Sequence, residues 1–237
     1  MFRFIFLNVF IVLVTIVFSL WGVLLSLFDA SGRLTHFYAA APWGRVILWA
    51  CGVKVRVKGL ENVNPRVPHI YMTNHQSYFD IFTLLASLPV DFKFILKQEL
   101  MKIPIFSFAV RRAGYISIDR DDPRKALKSM TQAAERIRSG SSVLVFPEGT
   151  RSRNGRLQEF KRGGFHLALK AGVEVVPVGI INTHRIAPKG SLRITPGTVS
   201  MNIGAPICVK NYTKREMDQL IGDVWHTISK LIEQEGA

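Results

Sequence analysis

Residues Phe4 to Phe28 are apolar almost without a break, with Asn8, Thr15, Ser19 and Ser26 as the polar interruptions. Roughly 20 apolar residues suffice to cross a bilayer core, and this run shows no polar face, so the pattern predicts a helix surrounded by lipid. A signal peptide is the competing reading. Its small-residue site would be Ala39-Ala40-Ala41, but that lies well beyond a run already too long for a signal core. After a turn at Asp29-Ala30-Ser31-Gly32 the pattern becomes mixed from Leu34 to Gly52. Pro42, Gly44 and Arg45 interrupt it, and Trp43 and Trp49 suit a water–lipid boundary. This stretch predicts a helix lying at a membrane surface. Arg3 and Arg33 flank the first segment about equally, so a single span and a hairpin that does not cross completely both stay open.

Beyond residue 52 the period shortens. Val53-Lys54-Val55-Arg56-Val57 alternates strictly and predicts a half-exposed strand. Ile70-Tyr71-Met72, Phe92 to Leu96, Tyr115 to Ile118, Val143 to Phe146, Glu174 to Ile181, Leu192 to Thr195 and Thr198 to Ile203 predict further strands. Helices are predicted from about Ile81 to Leu88, from Pro123 (capped by Asp122) to about Arg138, and from Gly163 to Lys170. A last helix opens with a Thr213–Glu216 capping box. Its apolar positions Met217, Leu220, Ile221, Val224, Trp225, Ile228, Leu231 and Ile232 form one stripe. Ile103 to Val110, with basic residues on both sides, reads either as core or as an apolar loop dipping toward lipid. Alternating strands and helices predict an α/β fold: a layered mixed sheet flanked by helices (53–237), preceded by an N-terminal helical membrane anchor (1–52).

The 237 residues carry a net charge of +14. Such a surplus suits nucleic acid, an anionic membrane or an anionic substrate. The basic residues are scattered and no nucleic-acid motif is present, so together with the apolar N-terminus the charge points to anionic membrane lipids rather than nucleic acid. Cys51 and Cys208 offer no disulfide framework, and no Cys/His spacing suggests a metal.

Two motifs lie where predicted strands end. Asn74-His75-Gln76-Ser77-Tyr78-Phe79-Asp80 is a polar turn between a strand and a helix. A His in such a turn can be held firmly and left open to a cleft, and Asp80 in the first helical turn can reach back to it, which makes an oriented general base. The plainer reading is local capping, with Asp80 on the Ser77 N–H and His75 on a carbonyl. Phe146-Pro147-Glu148-Gly149-Thr150-Arg151-Ser152 is the second motif, a Pro/Gly turn that presents a carboxylate and a guanidinium. Its plainer reading is a Glu148–Arg151 ion pair that braces the turn.

The two motifs, in this order and separation, resemble the glycerolipid acyltransferase family, and within it the bacterial lysophosphatidate acyltransferase branch. The family's His-x4-Asp pattern falls on His75 and Asp80, and its Glu-Gly-Thr-Arg pattern on Glu148, Gly149, Thr150 and Arg151. Gly114 to Arg120, Lys97-Gln98-Glu99-Leu100 and Val175-Val176-Pro177-Val178 agree more weakly. The resemblance implies acyl transfer from a thioester of coenzyme A or acyl carrier protein to the sn-2 hydroxyl of lysophosphatidic acid, at the cytoplasmic face of an inner membrane. It implies His75 and Asp80 as the catalytic pair. Glu148, Gly149, Thr150, Arg151, Arg120 and Lys97 would line the acceptor pocket, with Arg151 and Arg120 on the phosphate.

The chemistry needs no cofactor, metal or acyl-enzyme. A hydroxyl attacking a thioester must lose its proton, and the thiol is already a good leaving group. Ser77 and Ser152 are alternative nucleophiles, though neither sits in Gly-x-Ser-x-Gly. Backbone N–H groups near Gly149 are candidate oxyanion donors. The rival functions are transfer to glycerol 3-phosphate or to another lysophospholipid, and lipid binding without turnover.

Overall fold

A computed structural model of the chain describes residues 2–118 and 123–234. Arg120 and the expected Asp122 cap lie outside the described residues, as does the side chain of Lys97. Helix α1 (Phe2–Leu25) leads into the expected turn, where Asp29 accepts hydrogen bonds from the backbone of Ser31 (2.8 Å) and Leu34 (2.7 Å). The chain returns through α2 (Arg33–Thr35), a π-helical segment (His36–Ala40) and α3 (Ala41–Ala50). Pro42 therefore does not break this arm. The wider turns just before it accommodate a residue that has no N–H to donate.

The two arms form an antiparallel hairpin. Thr35 Oγ1 donates to Gly22 O, Trp21 Nε1 to Tyr38 O and Trp43 Nε1 to Thr15 Oγ1. The outer face of α1 keeps Phe6, Val12, Leu13 and Val17 exposed, and Trp49 on α3 is 81% exposed. The α1 helix is long and apolar enough to cross a membrane, which fits a membrane-associated protein.

Strand β1 (Val53–Lys58) follows directly. Then come β2 (Ile70–Thr73), α4 (Phe79–Ser87), β3 (Phe92–Lys97), α5 (Phe106–Arg112), β4 (Ile116–Ile118) and α6 (Pro123–Arg138). The chain ends with β5 (Ser142–Val145), α7 (Gly163–Ala171), β6 (Val175–Ile181), α8 (Thr183–Ile186), β7 (Gly197–Ile203) and α9 (Met217–Glu233). The sheet has seven strands in the order β1-β7-β6-β2-β5-β3-β4. All neighbouring pairs are parallel except β6 with β7.

Strand alternation divides the core between the two faces. Tyr71 and Leu144 point to the face covered by α3 and α4, whereas Ile70, Met72, Val143 and Val145 point to the face covered by α6, α7 and α9. Ile47, Leu48 and Cys51 belong to the first of these cores, so the hairpin and the sheet share apolar packing across residue 52. Gly44 makes the approach of α3 to α4 possible, since a Cβ there would lie 2.9 Å from the Phe82 carbonyl oxygen.

The Thr213–Glu216 capping box is present, and Leu220, Val224 and Ile228 of α9 are fully buried, each worth about 1.5–3 kcal/mol. Two expectations are corrected. Leu192 to Thr195 is irregular rather than a strand. Leu192 is 63% exposed, and the next strand begins only after Pro196. Ile103 to Val110 is neither plain core nor a loop. It enters α5, which buries Ala109 and Val110 while Ile103, Ile105 and Phe108 stay exposed.

Candidate active site

Strands β2 and β5 lie side by side with Met72 opposite Val145, so the turns that leave their carboxyl ends emerge together. The chain from β2 continues into α4 on one face, and the chain from β5 continues to α7 on the other. Loops that part from neighbouring parallel strands leave a crevice at the carboxyl edge of the sheet, and both motifs lie there. Asn74 extends the β2–β6 pairing with its side chain, donating to Ile180 O and accepting from Ile180 N, both at 2.7 Å.

Asp80, in the first turn of α4, is fully buried. Its Oδ2 lies 2.7 Å from His75 Nδ1 and accepts the backbone N–H groups of Gln76 (2.7 Å) and Ser77 (3.0 Å). Its Oδ1 accepts the Thr183 hydroxyl. A carboxylate ringed by donors acts only as an acceptor, so Nδ1 carries the proton and Nε2 is the basic nitrogen of the ring. The two sequence readings of this turn are therefore compatible, because one oxygen both accepts the expected Ser77 N–H and orients the imidazole. The His75 ring stacks on Phe146 at 3.9 Å between centroids, and its side chain is 16% exposed, held but reachable.

The second motif holds the first. Glu148 is buried; its Oε1 accepts the His75 backbone N–H at 2.6 Å, and its Oε2 accepts Gln158 Nε2 at 2.7 Å and Gln158 N at 3.2 Å. The His75 carbonyl in turn accepts the Ser152 N–H at 2.7 Å. Burial pushes the Glu148 carboxyl above its ordinary range, and the hydrogen bonds from His75 and Gln158 act against that push.

Glu148 forms no ion pair with Arg151 among the described residues, so the plain bracing pair is replaced by a brace on His75 itself. Gly149, with φ 72°, makes the turn, and its N–H donates to Phe146 O at 3.0 Å rather than facing the crevice as an oxyanion donor. Lys189 donates to Thr150 Oγ1 at 3.0 Å and to the Arg151 carbonyl at 2.6 Å. Burial pushes the Tyr78 hydroxyl up to about 12, and the nearby charge of Arg151 pulls it back.

The sequence reading missed Thr183, Lys189 and Gln158. A usable signal was present for Thr183: polar Asn182-Thr183-His184 follows the buried run of β6, just as the two motifs follow β2 and β5. The serines are poorly placed as nucleophiles. Ser77 is buried and donates to Ala187 O at 2.8 Å, and Ser152 is 2% exposed. Beyond Phe146, the stacked ring of Phe94 leads to an apolar cavity of about 120 Å³. It lies between the hairpin (Ser19, Trp43), α4 (Ile81), β3 (Leu96) and α5 (Ala109).

The acyltransferase family model matches residues 54–181, more than half of the chain. A chloroplast 1-acyl-sn-glycerol-3-phosphate acyltransferase of Arabidopsis thaliana is 41% identical over 76% of this chain and 51% of its own length. A 1-acyl-sn-glycerol-3-phosphate acyltransferase of Pseudomonas aeruginosa is 33% identical over 79% of this chain and 74% of its own. The chain thus spans about half the length of the chloroplast relatives of Arabidopsis thaliana and Brassica napus that it matches. Among solved structures, the 1-acyl-sn-glycerophosphate acyltransferase PlsC of Thermotoga maritima superposes with a TM-score of 0.84 at 28% identity, covering 100% of this chain and 95% of that one. With the motifs at neighbouring strand ends and the family match running through both, this chain belongs to the acyltransferase family.

Proposed function

We propose that the protein transfers a fatty acyl group from a thioester of coenzyme A or acyl carrier protein to the sn-2 hydroxyl of lysophosphatidic acid, giving phosphatidic acid. The observation that carries this reading is the 2.7 Å contact of His75 Nδ1 with a buried, fully hydrogen-bonded Asp80, which leaves Nε2 directed to chemistry in a crevice. The acceptor hydroxyl attacks the thioester carbonyl as Nε2 takes its proton. The tetrahedral adduct then collapses, the C–S bond breaks, and the thiolate recovers the proton from the imidazolium. Asp80 stabilises that imidazolium and keeps its tautomer. Such a base contributes about 10²–10⁴ in rate. The transfer is direct, in keeping with the burial of Ser77 and Ser152.

The apolar cavity beyond Phe146 suits an acyl chain, and the hairpin that forms one of its walls would place it next to lipid. Arg151, with Arg120, would bind the phosphate monoester, since a guanidinium grips phosphate through two parallel N–H bonds and so aligns the neighbouring hydroxyl. The basic surplus favours anionic lipids, with the catalytic layer on the cytoplasmic face of the inner membrane.

The test is a panel of acceptors and donors with purified protein, repeated with Arg151→Lys. Lysophosphatidic acid should be the preferred acceptor. The variant should raise its KM and lower kcat, losing roughly 1.5–3 kcal/mol, or about one to two decades in kcat/KM, with the donor KM little changed. Preference for glycerol 3-phosphate or for a lysophospholipid without a phosphate monoester would overturn the acceptor assignment. An Arg151→Lys effect confined to the donor would overturn the phosphate role.

A further inference from the structure

The His-x4-Asp turn is bolted to the end of a third strand. β6 ends at Ile181, Asn182 turns the chain with φ 73°, and the short helix α8 comes back beneath the start of α4. Contacts at four residues of the turn, Asn74, Gln76, Ser77 and Asp80, join it to α8 and its flanks. Asn74 pairs with Ile180, Ser77 Oγ donates to Ala187 O at 2.8 Å, and the Thr183 hydroxyl reaches Asp80 Oδ1. Thr183 is fully buried, and among the described residues the other acceptor within reach of its hydroxyl is Gln76 Oε1 at 3.3 Å, which His184 Nδ1 also approaches at 3.2 Å. A hydroxyl has one proton, and the shorter contact to a charged acceptor takes it.

The division of donors on Asp80 is informative. Oδ2 carries the imidazole and two backbone N–H groups, while Thr183 is the donor on Oδ1. Without it the carboxylate can turn about its own axis and take Oδ2 out of line with Nδ1. We propose that Thr183 is a positioning residue for acyl transfer, fixing the plane of the Asp80 carboxylate and through it the orientation of His75. The proposal rests on the general-base reading above.

The experiment compares the full-length wild type with Thr183→Val, Thr183→Ser and Asp80→Asn, and with the double variant Thr183→Val/Asp80→Asn, assayed with lysophosphatidic acid and an acyl-CoA. Thr183→Val should lower kcat about tenfold while both KM values stay within about twofold, because the hydroxyl touches neither substrate. Thr183→Ser keeps the hydroxyl and should keep most of the turnover. In the Asp80→Asn background Thr183→Val should add almost nothing, because both changes act through one carboxylate.

A merely structural threonine would lower stability without this split, and its loss would add to that of Asp80→Asn. A folded Thr183→Val with normal kcat, equal losses in Val and Ser, or additivity in the cycle overturns the proposal. If Thr183→Val does not fold, Thr183→Ala leaves more room beside Oδ1 and is judged by the same criteria. If the wild type itself fails to acylate lysophosphatidic acid, the functional reading falls first. The His75 Nδ1–H proton resonance then still reports whether Thr183→Ala disturbs the pair; an unmoved resonance overturns the positioning role, and a displaced one sustains it.

Discussion

The turn after β2 and the turn after β5 look alike in the sequence, each a short polar motif behind a buried strand, yet they do different work. In the first, the side chains point at each other: the buried Asp80 holds a His75 ring that is partly exposed. In the second, the most noticeable residue, Glu148, turns inward and spends both oxygens on protein donors, one of them the backbone N–H of His75. Arg151 of that motif forms no ion pair with Glu148 among the described residues, and its charge is felt at Tyr78, whose hydroxyl it pulls down. The lesson is that a buried carboxylate in one motif can serve by holding the backbone of the other, here at His75. Burial that would otherwise favour a neutral acid is tolerated because donors meet the charge.

The comparison breaks most sharply at His75. His75→Ala should reduce turnover by about 10²–10⁴-fold with little change in melting temperature, because the ring is partly open and packs mainly on Phe146. Near-normal turnover in a folded variant would move the chemistry elsewhere.

Glu148→Gln should come next, with loss of both stability and kcat. An amide still accepts from the His75 N–H but turns its own N–H groups toward the Gln158 donors, at a cost of roughly 1–3 kcal/mol. The pH dependence has a definite sign. A carboxyl raised in the folded state adds stability below its unfolded value near 4.5 and loses it as pH rises through the folded value. The deficit of Glu148→Gln against the wild type should therefore be widest near pH 4.5 and narrow above it, in denaturation curves taken across pH. A deficit that widens with pH would mean that the hydrogen bonds outweigh burial.

The smallest effect should come from Lys189→Met, which frees the Thr150 hydroxyl and the Arg151 carbonyl without touching His75. A rise of roughly threefold in acceptor KM at unchanged kcat is expected from steady-state kinetics. A fall in kcat alone would tie Lys189 to the His75 turn instead.

Much of this was legible because the relevant physics is local. The alternation of Val53 to Val57, the stripe on α9 and the capping box at Thr213 are short-range patterns, and the structure carries all three. Leu192 to Thr195 misled because an apolar residue beside a β-branched one resembles a strand, yet among the described residues it pairs with no strand; Thr195 N–H donates to Ile186 O at 2.9 Å instead, and the segment stays irregular. The helix expected from Leu34 to Gly52 does form through Pro42, but with a π-helical segment just before it, an adjustment that no local propensity announces.

By itself the sequence determined the apolar N-terminus, the α/β alternation and the five-residue spacing that lets Asp80 reach His75, since each depends on residues close along the chain. Only the tertiary structure decided that Glu148 braces His75, that Thr183 completes Asp80 and that the hairpin forms a wall of the apolar cavity. The first two contacts join residues 73 and 103 positions apart, and they arise because parallel strands bring their carboxyl ends to one edge of the sheet. Hydrophobic period fixes which face of a strand is buried, but the order of strands across the sheet is set by packing the whole chain, and that order chooses which loops meet.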